Sequence, residues 1–164
     1  MSTYLLTWSP KKWPWHDLPE LIDEVGRRGF CLTGWSCGNN KSIERGDRLF
    51  LLRQGEEPRG IVGAGWAESE PYEEIHWREE KARAGKTTMY LKVRWERLLN
   101  PEAESIFPRE WLNEGALSKV NWNTQISGIV IRPDAARVLE ERWSDFLQGR
   151  GRGFSLFRQA PDEA

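Results

Sequence analysis

Two nearly continuous apolar runs, Asp47 to Gln54 and Arg59 to Trp66, flank the short segment Gly55-Glu56-Glu57-Pro58. Runs of this length bounded by Gly and Pro predict strands buried on both faces, and the segment between them has the chemistry of a tight turn. Just ahead of this hairpin lies TGWSCGNNK, Thr33 to Lys41, which reads as an irregular polar loop. It carries one large aromatic, Trp35, among the small hydrogen-bonding residues Thr33, Ser36, Cys37, Asn39 and Asn40. An aromatic loop anchored at the edge of a rigid sheet is well suited to hold a planar ligand.

At 164 residues the chain reads as one domain with room for a real core. A net charge of −1 excludes a globally basic nucleic-acid coat, but 24 Lys and Arg leave scope for a local basic face. Cys31 and Cys37 are too few for a disulfide framework, and with only His16 and His76 the sequence predicts neither a zinc site nor any other cofactor. No apolar span of membrane length or signal-peptide layout is evident, so a cytoplasmic protein with no membrane partner is expected. The ten Trp residues are unusual. Trp suits cores and flat stacking sites alike, and a pocket needs only two or three of them.

Thr3 to Trp8 reads as a strand ended by Ser9-Pro10, and Trp13 and Trp15 flank Pro14 in an irregular connection. Asp17 is placed to cap a helix running to about Arg27, with Leu18, Leu21, Ile22 and Val25 on one face and Gly26 or Gly29 at its end. Glu70 to Lys86, broken by Pro71 and Gly85, predicts an exposed, hydrated excursion. Thr87 to Leu98 alternates as a half-buried strand does, and Pro108 to Leu112 fits a short helical turn. Asn121 to Ser127 supplies Trp122, Asn123, Thr124 and Gln125 just before a short strand, Gly128 to Ile131, and Pro133 then opens the last helix. The expected fold is α+β: a curved mixed sheet or pseudo-barrel of five to six strands with about three helices. The domain is expected over residues 1–148, with a flexible Gly- and Arg-rich tail over 149–164.

No nucleophile stands beside a histidine in sequence, and the paired carboxylates Glu73-Glu74 and Glu79-Glu80 fall on a hydrated loop with little means of shifting their pKa values. Recognition fits the residues better than catalysis. A flipped-out base is held by aromatic stacking and by hydrogen bonds to its Watson–Crick edge. Trp35 with Trp66 or Trp122 supplies candidate walls, and Ser36, Cys37, Asn39, Asn123 and Gln125 supply candidate edge contacts. Lys41, Arg45, Arg53 and Arg59 are the candidate phosphate contacts.

The segments TYLLTWSP, GWSCGNNKSIERGDRLFLLRQG, GIVGAGWAESEPY and NWNTQISGIVI, in this order, resemble an EVE-type domain of the PUA-like superfamily, related to YTH and ASCH domains. The form they most resemble is the one placed ahead of HNH nuclease domains in modification-dependent restriction enzymes, and the likeness extends over about residues 3–147. It implies a pseudo-barrel whose cleft receives a nucleobase, with Trp35-Ser36 similar to the Trp-Ser pair in the pocket wall of YTH readers. It further implies a non-catalytic reader of 5-methylcytosine or 5-hydroxymethylcytosine in double-stranded DNA, acting by base flipping as the specificity module of a restriction system. No HNH motif accompanies it, so the implied nuclease is another domain or chain, or the protein is a stand-alone reader. Three other functions stay open: an RNA modified-base reader, an ASCH-like small hydrolase of modified nucleosides using Thr33, Lys41 and Glu44, and a scaffold or interaction module in which every Trp is structural.

Overall fold

The computed structural model describes residues 1–152. Eight strands form one mixed sheet: β1 (Thr3–Trp8), β2 (Cys31–Gly38), β3 (Arg48–Arg53), β4 (Gly60–Ala67), β5 (Tyr72–Ile75), β6 (Thr87–Leu98), β7 (Phe107–Pro108) and β8 (Ile129–Ile131). Their order is β2-β6-β4-β3-β1-β8, with β5 added to β6 and β7 to β4. Only β1 and β3 run parallel; every other described pairing is antiparallel.

The central hairpin forms as its sequence predicts. Every residue of β3 is buried, and β4 is buried at all positions except Trp66. Helix α1 (Leu18–Arg28) starts after Asp17, with Pro19 in its first turn, although the Asp17 side chain makes no capping bond. Gly29 ends it in the left-handed region, donating its N–H to Val25 O at 2.7 Å. A short α2 (Glu79–Arg83) follows β5, and two 3-10 turns, Arg109–Asn113 and Gly115–Lys119, follow β7. Helix α3 (Pro133–Arg152) then buries Ala135, Ala136, Leu139, Trp143 and Phe146 against the sheet.

The strand count exceeds the expected five to six for three local reasons. Thr33 to Gly38, expected to be loop, belongs to strand β2, which pairs with β6 from Cys31↔Trp95 to Gly38↔Met89. Its polar side chains do not oppose this, because the ladder needs only backbone groups. Tyr72 to Ile75 extends the long β6 within the supposed excursion, and Phe107–Pro108 adds two residues to β4. At the C-terminal end α3 continues to Arg152, and the remainder of the expected tail lies outside the described residues.

The sheet curls until its two edges meet, and side chains rather than a ladder join them. Ser127 Oγ accepts from Thr7 N at 3.0 Å and donates to Ser36 O at 2.7 Å. Trp35 Nε1 donates to Thr7 O at 3.0 Å, and Asn40 Nδ2 donates to Gly128 O at 2.6 Å. The approach requires glycine: a Cβ on Gly128, whose φ is +92°, would stand 2.4 Å from Cys37 O. The result is an incomplete barrel whose seam is held by a few specific bonds.

Candidate functional site

A cleft of about 980 Å³ opens beside this seam, at the upper end of the roughly 300–1,000 Å³ usual for ligand pockets. Three segments distant in sequence wall it: the Trp8–Trp13 turn, the end of β2 with the loop after it, and the 125–128 loop before β8. The segment from His76 to Thr88 and Tyr90 closes the remaining side.

Trp35 lies at the cleft, but its ring is only 7% exposed. Its neighbours fix it: Trp13 edge-on at 5.1 Å, Trp15 tilted at 4.8 Å and Trp95 edge-on at 6.2 Å. Trp13 is the more available surface, 37% exposed and also lining the cleft. Trp77, stacked with His76 at 5.3 Å, and Tyr90 also line it. Planar surfaces therefore come from three segments of the chain, a lining suited to a flat aromatic ligand.

Polar groups sit between these rings. A β-bulge between Ser36 and Gly38 takes Cys37 out of the ladder and turns the end of β2 toward the cleft. Thr88 Oγ1 donates to Gly38 O at 3.0 Å, so in the 3.2 Å contact between the two hydroxyls Ser36 is the donor. Asn39 and Gln125 are exposed lining residues. The charge pattern is one-sided. Lys12, Lys41, Arg78, Lys81 and Lys86 line the cleft, and none of its lining residues is Asp or Glu, although the chain holds 25 acids against 24 bases. Burial, followed by the charges of Lys81 and Arg78, holds the His76 imidazole below the ordinary histidine range.

The cleft thus gathers five of the sequence candidates, Trp35, Ser36, Asn39, Lys41 and Gln125, and leaves seven elsewhere. Cys37 is fully buried, its thiol against Asn40 O at 3.5 Å, and burial pushes its pKa up to about 11. Trp122 is a core residue, 3% exposed, with its indole N–H given to Leu117 O at 2.7 Å. Trp66 lies under Arg48, whose guanidinium sits 4.5 Å from its ring, and donates to Glu96 Oε1 at 3.0 Å. Asn123 accepts from Arg109. Arg53 is 4% exposed and holds the hairpin turn through Glu56 O and Pro58 O, at 3.1 and 2.7 Å. Arg59 pairs with Glu57 at 3.0 Å, and Arg45 is exposed but does not line the cleft. The three residue types required by the hydrolase reading are not brought together either. Lys41 lines the cleft, whereas Thr33 accepts from Trp95 Nε1 at 2.9 Å and Glu44 lies outside it.

Several lining residues were missed by sequence reasoning: Trp13, Trp77, Tyr90 and the cations Lys12, Arg78, Lys81 and Lys86. The signal was present in the His76-Trp77 pair, because a tryptophan inside a charged run is out of place in a purely hydrated loop. Among the described residues no cluster of three or more His, Cys, Asp or Glu is placed to hold a metal, and no helix is long and apolar enough to cross a membrane.

No protein-family model matches the chain, and no curated protein matches it. Among solved structures it is similar to a hypothetical protein from Leishmania major, at a TM-score of 0.62 and 14% identity over 90% of this chain and 97% of that one. A protein from Pseudomonas syringae matches at a TM-score of 0.57 and 15% identity, over 86% and 99% of the two chains. One from Pseudomonas putida matches at 0.53 and 15%, over 85% and 98%. At such identities the likeness is one of fold alone: the α+β architecture is shared across nearly the full length of each neighbour.

Proposed function

We propose that this chain is a reader domain that takes a single nucleobase, flipped from a nucleic acid, into the cleft beside the seam. The observation that carries the reading is the cleft's lining: aromatic rings from three segments of the chain, polar groups among them, five cations and no carboxylate. A base stacked between Trp13 and Trp77 has Ser36, Asn39 and Gln125 within the same cleft for its edge, and each such stack contributes roughly 1–3 kcal/mol. The cations then serve the phosphates on either side of the extruded nucleotide. The ligand most in keeping with the sequence resemblance is 5-methylcytosine or 5-hydroxymethylcytosine in DNA. In this role the domain supplies specificity to a nuclease carried by another domain or chain, as EVE-type PUA-like modules do.

The hydrolase alternative loses support from the missing carboxylate, since a general acid or base of that class has no counterpart among the lining residues. The test is a titration at fixed, stated salt of duplexes carrying one cytosine, 5-methylcytosine or 5-hydroxymethylcytosine, beside matched RNA and methyladenine oligonucleotides. The expected result is preference for one modified cytosine. Lys81→Ala with Lys86→Ala is expected to flatten the plot of log affinity against log salt by about two, one for each lost phosphate contact. Equal binding to modified and plain bases would reject the reading.

A further inference from the structure

The loop before β8 is a firmly held part of the cleft wall. Gln54 Nε2 donates to both Trp122 O and Thr124 O, at 2.6 and 2.9 Å. Thr124 Oγ1 accepts from Ile126 N at 2.9 Å and donates to Ile126 O at 3.2 Å. Ser127 and Gly128 then take part in the seam, through Thr7, Ser36, Asn40 and Leu5. The backbone on both sides of Gln125 and Ile126 is therefore fixed.

Ile126 nevertheless projects into solvent. It is 64% exposed, among the largest exposures of any large hydrophobic residue described. Its Cγ2 lies above the β2 bulge, 3.9 Å from where a Cβ on Gly38 would stand, and the residue lines the lip of the cleft. A lone exposed isoleucine needs no explanation on most surfaces. Here the side chain is β-branched and stiff, its backbone is fastened, and it borders a cationic cleft that accepts flat rings. Those are the requirements of a wedge: proteins that unstack a duplex insert Phe, Leu, Ile, Met or Pro between base steps.

Building on the reader function above, we propose that Ile126 is the wedge that fills the space left in the stack when the base enters the cleft. The ligand is accordingly double-stranded DNA. A single strand offers no gap to fill, so the isoleucine contributes only to duplex binding. Extruding a base from a duplex costs a few kcal/mol in unstacking and unpairing, and the wedge offsets part of that cost by keeping the gap closed.

The test compares wild type with Ile126→Ala and Ile126→Leu, using 5-methylcytosine and 5-hydroxymethylcytosine oligonucleotides as duplexes and as single strands of the same sequence. Ile126→Ala is expected to weaken duplex binding about ten- to a hundredfold and to leave the single strand within about twofold, with Ile126→Leu retaining most of the affinity. A 2-aminopurine placed beside the modified base is expected to brighten when wild type binds, and much less with Ile126→Ala. Equal losses on duplex and single strand, or no loss on either, would overturn the wedge. Wild type that prefers the modified base only in single strands, DNA or RNA, would keep the reader function and reject the wedge. Wild type with no preference in any form would reject both.

Discussion

The two aromatic clusters of this protein have the same chemistry and different endings. Beneath α3, Phe50, Phe107, Trp111, Trp143 and Phe146 meet at centroid distances of 5.2 to 6.3 Å. Beside the seam, Trp8, Trp13, Trp15, Trp35 and Trp95 meet at 4.8 to 6.2 Å. The first cluster is sealed at Phe50, Phe107, Trp143 and Phe146, between 0 and 2% exposed, with Trp111 half-buried at its margin. In the second, Trp8, Trp35 and Trp95 spend their indole N–H groups on the protein itself, at 2.8, 3.0 and 2.9 Å, and yet Trp13 stays 37% exposed. The difference lies in the covering layer. Helix α3 completes one cluster, whereas the other faces a cleft that a planar ligand would complete.

That contrast breaks most directly at Trp143. Trp143→Ala removes a fully packed ring and is expected to cost about 3–5 kcal/mol of folding stability, read as a shift in the denaturant midpoint. The base preference of the protein that remains folded should be unchanged. A loss below about 1 kcal/mol would mean that the α3 cluster is not sealed in the sense argued above. Ser127→Ala comes next, because it leaves Thr7 N and Ser36 O without their bonds across the seam. A loss of about 1–3 kcal/mol in stability is expected, and binding should weaken with it, since the same bonds set the cleft wall. Trp13→Ala reverses the pattern of Trp143→Ala. It should take roughly 1–3 kcal/mol from binding if the ring stacks on a base, with a smaller shift in the denaturant midpoint than Trp143→Ala. A large stability loss with intact binding would return Trp13 to the core.

The contrast also explains what could be read from the sequence. The central hairpin, α1, β6 and α3 were legible because burial imposes a period or an unbroken apolar run on the local sequence. Strand β2 was not legible. TGWSCG has neither signal, and its pairing with β6 is set by residues about sixty positions away. The cleft was legible mainly where its residues share one segment, from Trp35 to Lys41, with Gln125 the one candidate outside that segment that also lines it. Trp122 and Trp66 look like Trp35 in their polar surroundings, and nothing local shows that one indole is buried against Leu117 O and another lies under Arg48. Arg53 misled for the related reason that a basic residue at a strand end resembles a phosphate ligand. Its guanidinium instead serves the carbonyls of its own turn. The charged excursion is exposed as expected, β5 at every residue, but pairing with β6 also brings His76, Trp77 and four nearby cationic and aromatic side chains to the cleft, which its local sequence does not show.

His76 provides the finest test of that closing wall. Its Nδ1 accepts from Arg78 N at 3.1 Å, a bond that needs the unprotonated nitrogen, and its ring stacks on Trp77. Burial and the charges of Lys81 and Arg78 keep its folded pKa below the 6.5 of an unperturbed histidine. On acidification the unfolded chain therefore takes up the proton first. The stability that the neutral ring contributes is present above pH 6.5 and is lost as the pH falls through that value toward the lower folded one. The difference in melting temperature between wild type and His76→Phe should accordingly be largest near pH 7.5 and narrow towards pH 5, by a small amount because the ring is only half-buried. A phosphate bound in the cleft acts in the opposite sense, favouring the imidazolium and raising the pKa. A bound oligonucleotide brings the folded pKa back towards that of the unfolded chain, so the narrowing should then be smaller. A wild-type to His76→Phe difference that does not change with pH would detach His76 from the cleft wall and leave Trp77 without its stacking partner as a functional surface.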